Sequence, residues 1–400
     1  MHINYVMWGV ARTGGTVTFT EIGKRLLKKG HKVTITAFDD GYGHKTPQGY
    51  KPDWEKTIPI EYIPVDLGVK YWRFLIDTFV RLLKPHAMAA EWEKIYKMVD
   101  HIPDCDINVA TYFPSAFSLY FSHKGKKQFY HMQHFEPLFY DPEVPFDSPN
   151  KYVKLAARMT EPMAPMALET TAMSRLADLS YMLPINKIAN SLWLKNIIKE
   201  KYGTDSYLIN HAIRNDIFYP RNDVSKPAGK RVLSLGKSSM FWKGTGTLVD
   251  AMKIVVKKYP DVELVFYGVE KNPSIDFPHK YIYSPSFDDL AKLYCSSHVV
   301  VCPSWYESFP APPLEGMSCG VPVVTTSIGV EDYARDGENS LVVPPRNAEA
   351  MAEAICRVLG DEALSKKLSS NGLETASQFS WDKTTDNIEK LFEKVLHEKE

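Results

Sequence analysis

The chain has no excess of either charge. Its 48 basic residues meet 48 acidic ones, so the electrostatic footprint of a nucleic-acid binder is missing. The first half leans slightly basic and the second slightly acidic, within ordinary scatter. Cysteine is scarce, with 5 in 400 residues. Cys105, Cys295, Cys302, Cys319 and Cys356 are odd in number, widely spaced and never in a C-x-x-C pair. A disulfide framework or a zinc site is therefore not expected, and a reducing compartment fits. No apolar run approaches the roughly 20 residues that span a bilayer. The start, MHINYVMWGV, is too short and too polar for a signal peptide and reads as a first strand. Short-period repeats and low-complexity tracts are also missing. Together these absences predict a soluble, cytoplasmic, globular chain.

What is present is alternation. INYVMWGV runs into Gly14-Gly15, TVTFTEIGKRLLKKGH has helical spacing, and KVTITAF is a strand, which makes a βαβ unit with Gly30 just past the helix. Further strands are expected at 107–113, 127–132, 187–191 and 206–212, with helices between them. From KPAGKRVLSLG the cycle restarts and runs to VPVVTT. The pattern predicts an α/β protein with two parallel-sheet domains. The polar, Pro- and Gly-bearing stretch 214–230 reads as the linker. Domains are expected at 1–215 and 216–380. The amphipathic segment 381–400, which follows after the strands have run out, should pack back on the first domain.

The densest cluster of chemistry is SWYESFPAPPLEGMSCGVPVVTT, residues 304–326. Glu307 and Glu315 flank a Pro-rich turn that leads into a helix. A helix start offers unsatisfied N–H groups and partial positive charge, a seat for phosphate. Glu315, expected in the first helical turn, would accept hydrogen bonds from a vicinal diol such as a ribose. Glu307, at the strand end, would reach hydroxyls on the other side of the phosphates. The pair then describes a sugar–diphosphate–nucleoside ligand. The plainer alternative makes Glu315 a helix-stabilising acid and Glu307 a solvated loop acid. Upstream, LSLGKSSMFWKG sets Lys237 after Gly236 at a strand end and Lys243 before Gly244 at a helix head. Two cations there would neutralise a diphosphate as its bond breaks; otherwise they are surface lysines of a polar loop.

These segments together resemble the family 4 glycosyltransferases, which are retaining enzymes of the GT-B fold with two Rossmann-like domains facing a cleft. The likeness covers most of the chain and is strongest over 231–346. It implies that Glu307 contacts the donor sugar and Glu315 the nucleotide ribose, and that Lys237 and Lys243 hold the diphosphate. The donor pocket implied also includes Gly236, Ser284, Pro285, Ser308, Phe309, Pro310 and Ala311. Gly14 and Gly15, in ARTGGTVT, match the family's first glycine-rich loop, where a ligand approaches backbone without a Cβ clash. The family often carries a histidine after the strand that ends near His131. Strand length puts that position at Gln133 or His134, so His134 is the catalytic candidate and Gln133 and Glu136 lie on the acceptor side. The run Gln133 to Pro137 also looks like a subgroup of polysaccharide transferases, some of which use rhamnose donors.

Departures from the family's pattern mark individual positions. Lysine stands at 237 where arginine is usual, losing the bidentate fork. Pro310 stands where glycine is common and has no N–H to offer. Arg214 replaces the linker's aspartate. Asp104-Cys105-Asp106 is a literal D-x-D, but it precedes its strand, the wrong end for a ligand in a parallel sheet; no metal or other cofactor is expected. Residues 69–99 mix aromatic, aliphatic and basic side chains at helical spacing. They read either as a core-facing helix pair or as a surface for a membrane or lipid-linked acceptor. The reading is a retaining hexosyltransferase that takes a nucleoside diphosphate sugar and a hydroxyl acceptor in a glycan, polysaccharide or lipid-linked chain. Its rivals are another GT-B activity, such as a nucleotide-sugar epimerase, and a non-catalytic nucleotide-sugar-binding protein.

Overall fold

The computed structural model describes residues 1–10, 14–39, 57–64, 86–139, 165–271 and 273–398. The chain divides into two units. The first holds Met1–Asn190, Leu194–Ile209 and Thr385–Glu400, and the second holds Ser191–Trp193 and Asn210–Thr384. The division expected at 215/216 therefore falls at 209/210. Residues beyond 209 bond within the second unit: Asn210 Nδ2 donates to Asp332 at 2.6 Å, and Ile213 bridges to Ser380.

The first unit carries a seven-stranded sheet. Its strands are β1 (His2–Met7), β2 (Lys32–Asp39), β3 (Ile60–Pro64), β4 (Ile107–Ala110), β5 (Lys127–Met132), β6 (Asn186–Ala189) and β7 (Tyr207–Leu208), in the order β3-β2-β1-β4-β5-β6-β7. Neighbouring strands are parallel. Helices α1 (Gly14–Lys28), α2 (His86–His101), α3 (Phe113–Ser122), α4 (Pro165–Ser180) and α5 (Leu192–Tyr202) fall between strands. Strand expectations overran at several places, 187–191 among them, where the strand ends at Ala189. The fourth strand stops at Ala110 because Ser115 Oγ accepts from the backbone N–H groups of Thr111 and Tyr112, turning the chain into α3 with Pro114 in its first turn. Of 206–212, only Tyr207–Leu208 pairs.

The second unit repeats the plan with six parallel strands: β8 (Arg231–Leu235), β9 (Glu263–Gly268), β10 (Lys280–Tyr283), β11 (Val299–Cys302), β12 (Val323–Thr326) and β13 (Leu341–Val343), ordered β10-β9-β8-β11-β12-β13. Helices α6 (Thr245–Lys258), α7 (Phe287–Cys295), α8 (Ala311–Ser318), α9 (Ala348–Gly360) and α10 (Glu362–Ser377) cover it. Both faces are buried, so the strands read as unbroken apolar runs rather than alternating ones. Leu233, Val265 and Val300 pack on one face with Leu314 of α8, while Val232, Leu264 and Val299 pack on the other with Leu248 of α6. This is the GT-B architecture of two Rossmann-like parallel-sheet domains. In such sheets the strand order reverses beside the first strand, and ligands bind beyond the carboxyl ends there. The reversal lies between β8 and β11 in the second unit and between β1 and β4 in the first.

The last helix, α11 (Trp381–His397), has its later residues in the first unit. Phe392 packs on Phe129 of β5 with ring centroids 4.9 Å apart, and both rings are buried. Lys29 Nζ bonds Asp386 at 2.7 Å and Glu389 at 2.6 Å, and His31 Nε2 reaches Glu389 at 2.7 Å.

Candidate functional site

At the reversal point of the second sheet, β8 and β11 run side by side with Val232 opposite Val299 and Leu233 opposite Val300. Adjacent strand ends bring their following loops together. The loop after β8 supplies Lys243 and the loop after β11 supplies Glu307, and Lys243 Nζ lies 2.5 Å from Glu307 Oε1. Ser304 Oγ donates to the same carboxylate oxygen at 2.9 Å. The ion pair is largely but not wholly sealed, with side-chain exposures of 21% for Lys243 and 12% for Glu307. Burial works against the Lys243 charge, but the Glu307 carboxylate outweighs it and holds the ammonium above the usual lysine range. Lys237 is held below that range, first by burial and then by the positive charge of Lys243. Two cations and two carboxylates thus meet at these loops: Glu307 acts on both lysines and Glu270 on Lys237.

The backbone here tolerates no other packing. Gly244 sits at φ 70° beside Pro303, whose carbonyl oxygen would lie 1.9 Å from an added Cβ. Gly329, at φ 85°, touches the Glu307 carbonyl so closely that a Cβ would sit 2.1 Å from it. Both positions admit only glycine. Trp305 braces the floor. Its Nε1 donates to Thr247 Oγ1 at 3.1 Å, its N–H donates to the Trp242 carbonyl at 2.7 Å, and Arg346 stacks 4.1 Å from its ring. Pro310 precedes α8, and its carbonyl accepts from Tyr333 OH at 2.9 Å. Phe309 turns inward among Tyr333, Phe379 and His211, while Ser308 is buried with its Oγ 3.4 Å from that of Ser191.

Helix α8 corrects two expectations. Glu315 is its fifth residue, not part of its first turn. Pro312 and Pro313 follow Ala311, so of the first four helical positions only Ala311 and Leu314 carry an N–H. The helix start is a poorer phosphate seat than a helix without prolines, which leaves more of the anion's neutralisation to the lysines. Glu315 is instead held by its surroundings. Tyr294 OH, at the end of α7, donates to Glu315 Oε2 at 2.8 Å, and Tyr267 OH of β9 lies 2.6 Å from Tyr294 OH. Burial pushes the Glu315 carboxyl up to about 7, against the Tyr294 hydrogen bond that favours its ionised form. It keeps partial contact with solvent.

The loops after β9 and β10 complete this end of the unit. Gly236 follows β8 and donates its N–H to Tyr267 at 2.9 Å. Ser284, at φ 47°, opens the loop to Pro285 and donates its N–H to Gly268 at 2.6 Å. Glu270 accepts from the N–H groups of Ser238 at 2.9 Å and Ser239 at 3.0 Å, fixing the loop that carries Lys237. Burial alone would raise the Glu270 carboxyl, but these serines hold it below the usual range.

In the first unit the sequence candidates separate. Gly14 and Gly15 open α1, and the preceding 11–13 lie outside the described residues. Gln133 follows β5; its carbonyl accepts from Asn190 Nδ2 at 3.0 Å. His134 stacks on Phe139 with centroids 4.7 Å apart, and His131 is buried against Phe19. Glu136, expected on the acceptor side, is only 1% exposed. Its Oε2 accepts from Tyr130 OH at 2.7 Å and from the N–H of Phe113 at 2.9 Å, so it caps the start of α3. Burial pushes it up to about 8.

The D-x-D acids tie strand starts together. Asp106 accepts from the N–H of His2 and from Lys126, both at 2.7 Å, and Asp104 from the N–H of Gly125 at 3.1 Å. Among the described residues no cluster of three His, Cys, Asp or Glu is arranged to hold a metal ion, and no helix is long and apolar enough to cross a membrane. Of residues 69–99, those before 86 lie outside the described residues, and 86–99 belong to α2. Sequence reasoning missed Ser304, Gly329, Tyr267 and Tyr294. Only Gly329, in the turn-like SIGVED, carried a local signal.

Comparison with known proteins bears on the family and the fold. Residues 229–361 match the family model Glycosyl transferases group 1. An uncharacterized glycosyltransferase of Methanocaldococcus jannaschii is 28% identical over 219 residues, covering 52% of this chain and 59% of that protein. The chain thus spans less than two thirds of the length of the curated relatives it matches. Among solved structures, sucrose-phosphate synthase from Thermosynechococcus elongatus superposes with a TM-score of 0.68 at 18% identity, over 99% of both chains. Anabaena HepE in complex with UDP-glucose gives 0.68 at 15% identity, over 98% of this chain and all of that one. At such identities the likeness is one of fold.

Proposed function

Starting from a chain whose residues 229–361 match the family model Glycosyl transferases group 1, we propose that the protein transfers a hexose from a nucleoside diphosphate sugar to a hydroxyl acceptor, with retention of configuration. The observation that carries this reading is the part-buried Lys243–Glu307 pair with Lys237 beside it, at the strand-order reversal of the second sheet. Lys243 and Lys237 neutralise the diphosphate. Charge grows on that group as the sugar–phosphate bond breaks, so cations fixed in a partly dry pocket stabilise the transition state more than the ground state. Glu307 orients the sugar hydroxyls, and Glu315 accepts from the ribose. Gly236, Ser284 and Pro285 line the nucleoside side, and Ser308, Phe309, Pro310 and Ala311 shape the turn between the two acids. The departing phosphate takes the acceptor's proton in a front-face displacement, which needs neither a protein nucleophile nor a metal.

The acceptor is a glycan or a lipid-linked chain, and its contacts come from the first unit around Gly14, Gly15, Gln133 and His134. The enzyme works in the cytoplasm. Peripheral contact with the membrane's cytoplasmic face through the first unit accompanies a lipid-linked acceptor; α2 presents Tyr96, 59% exposed, and half-buried Trp92 beside Lys94 and Lys97. The UDP-glucose complex of the Anabaena neighbour supports a nucleotide sugar as donor.

The test is a thermal-shift screen with UDP-, GDP-, ADP-, CDP- and dTDP-sugars, followed by assay of nucleoside diphosphate release. One base class should stabilise the protein and be released slowly even without acceptor. If no nucleotide sugar stabilises it, the reading fails. Stabilisation with no release under any acceptor condition would leave a binding protein in place of an enzyme.

A further inference from the structure

Glu315 is reached by a chain of two buried phenols, which a residue that merely stabilises a helix does not need. Tyr294 OH donates to Glu315 Oε2 at 2.8 Å, and Tyr267 OH lies 2.6 Å from Tyr294 OH. A phenol has one proton. When that of Tyr294 goes to an ionised Glu315, the proton between the two tyrosines must come from Tyr267. The chain is therefore directed: Tyr267 donates to Tyr294, and Tyr294 donates to Glu315. Each donated bond polarises the next and strengthens it. Both rings are buried, and burial holds both phenols far above their ordinary range, so they stay protonated donors.

We propose that Tyr294, backed by Tyr267, is a positioning residue that keeps Glu315 an ionised acceptor for the nucleotide's ribose. This rests on the reading of Glu315 given above and adds to it the device that sets when the acid is competent. The surroundings leave the task to these two phenols. The other titratable groups near Glu315 are thiols: Cys319 at the end of α8, which its hydrogen bond to Cys295 and burial hold protonated, Cys302 of β11, which burial raises, and Cys295 beside Tyr294 on α7, which the Cys319 hydrogen bond pulls down to about 7. The buried residues of α10 are Leu368, Gly372 and Ala376, and β12 carries only Val and Thr. Among the described residues the nearby cations bond elsewhere: Lys292 of α7 and Arg221, which faces Cys295 and Cys319, both pair with Asp288, Lys366 pairs with Glu362, and Lys367 donates to the Gly337 carbonyl. With burial pushing the acid up to about 7, ribose binding is present above that pH and lost as pH falls through it. Removing the Tyr294 donor moves the midpoint higher.

The experiment titrates the full chain and its Glu315→Gln, Tyr294→Phe and Tyr267→Phe variants with UDP, GDP, ADP and CDP by calorimetry from pH 6 to 9.5. Dividing each affinity by that of Glu315→Gln cancels the probe's own phosphate ionisation. The wild-type ratio should rise through a midpoint near 7 and level off. Tyr294→Phe should reach the same plateau by pH 9.5 but bind about threefold more weakly near pH 7.5, as an upward midpoint shift of under one unit implies. Tyr267→Phe should show a smaller shift in the same direction, and it carries the test alone if Tyr294→Phe does not fold. Weakening by the same factor at every pH overturns the proposal, since a structural role would do that. Weaker binding in Glu315→Gln with no midpoint shift in either tyrosine variant also overturns it, while the ribose reading stands. Unchanged binding in Glu315→Gln removes both.

Discussion

Each unit holds a glutamate that accepts a tyrosine hydroxyl: Glu136 from Tyr130 in the first, Glu315 from Tyr294 in the second. Burial raises both carboxyls. Their difference lies in what else they face. Glu136 is sealed at 1% exposure, and its second donor is the backbone of Phe113, so it serves the fold. Glu315 keeps a path to solvent and lies in the unit whose strand ends also gather Lys237, Lys243 and Glu307. A raised carboxyl with a tyrosine partner therefore does not identify a binding site. The two acids differ in access: Glu136 caps a sealed helix start, and Glu315 stays partly open to solvent on α8.

The largest effect that could break this contrast is catalytic. Lys243→Ala should lower transfer about 10²- to 10³-fold, as loss of a group that stabilises transition-state charge does elsewhere, and should weaken nucleotide-sugar binding far less. Lys237→Arg should keep most activity, since the charge survives. Turnover by Lys243→Ala at the wild-type rate would remove the lysine from the chemistry.

Next comes affinity. Glu315→Ala should cost nucleoside diphosphate binding about 1.5–3 kcal/mol, the worth of hydrogen bonds to a charged acceptor. Glu136→Gln should leave that affinity unchanged in a folded protein. Calorimetry that found the two variants equally weakened would erase the distinction between the acids.

Stability against pH is a smaller, sharper test. Glu136 has its folded-state value raised to about 8 from 4.5. The stability it contributes is thus complete below about 4.5 and is lost as pH rises through about 8. Hydrogen exchange across 107–136 should quicken between pH 5 and 8.5 beyond the intrinsic rate, and Glu136→Gln should lack that excess. An identical pH profile in the variant would mean the carboxyl is not the titrating group. The smallest expected effect is none: EDTA should leave transfer intact. Abolished activity restored by Mn²⁺ or Mg²⁺ would install a metal site against the reading of Asp104 and Asp106.

Legibility in the sequence followed distance along the chain. The doubly wound sheets were readable because each strand is a short local apolar run between turn signals. Lys243-Gly244 and the spacing of Glu307 from Glu315 were readable because a few adjacent residues carry them. The Pro-rich turn was legible as rigid, but Pro312 and Pro313 lie inside the helix, so Glu315 ended deeper than the first turn. Glu136 was expected on the acceptor side because its partners become visible only when β5 meets α3. The donors to Glu315 sit on β9 and α7, with Tyr294 21 positions from Glu315 and 27 from Tyr267. No local pattern encodes such a meeting. The overrun of the fourth strand past Ala110 arose because Ser115, a single side chain, diverts the backbone there.

The return of α11 to the first unit has a consequence for biosynthesis. The sheet containing Phe129 is synthesised early, but Phe392, which covers it, and Asp386 and Glu389, which neutralise Lys29, follow only after the whole second unit has been made. At ordinary translation rates that interval is on the order of ten to forty seconds. During it, the nascent first unit carries an apolar face with no cover, while the second unit, almost all of it the single stretch Asn210–Thr384, folds as it emerges. The second unit should therefore reach its native state first, although it is made last, and the first unit should depend on chaperones until residue 397 is free of the ribosome.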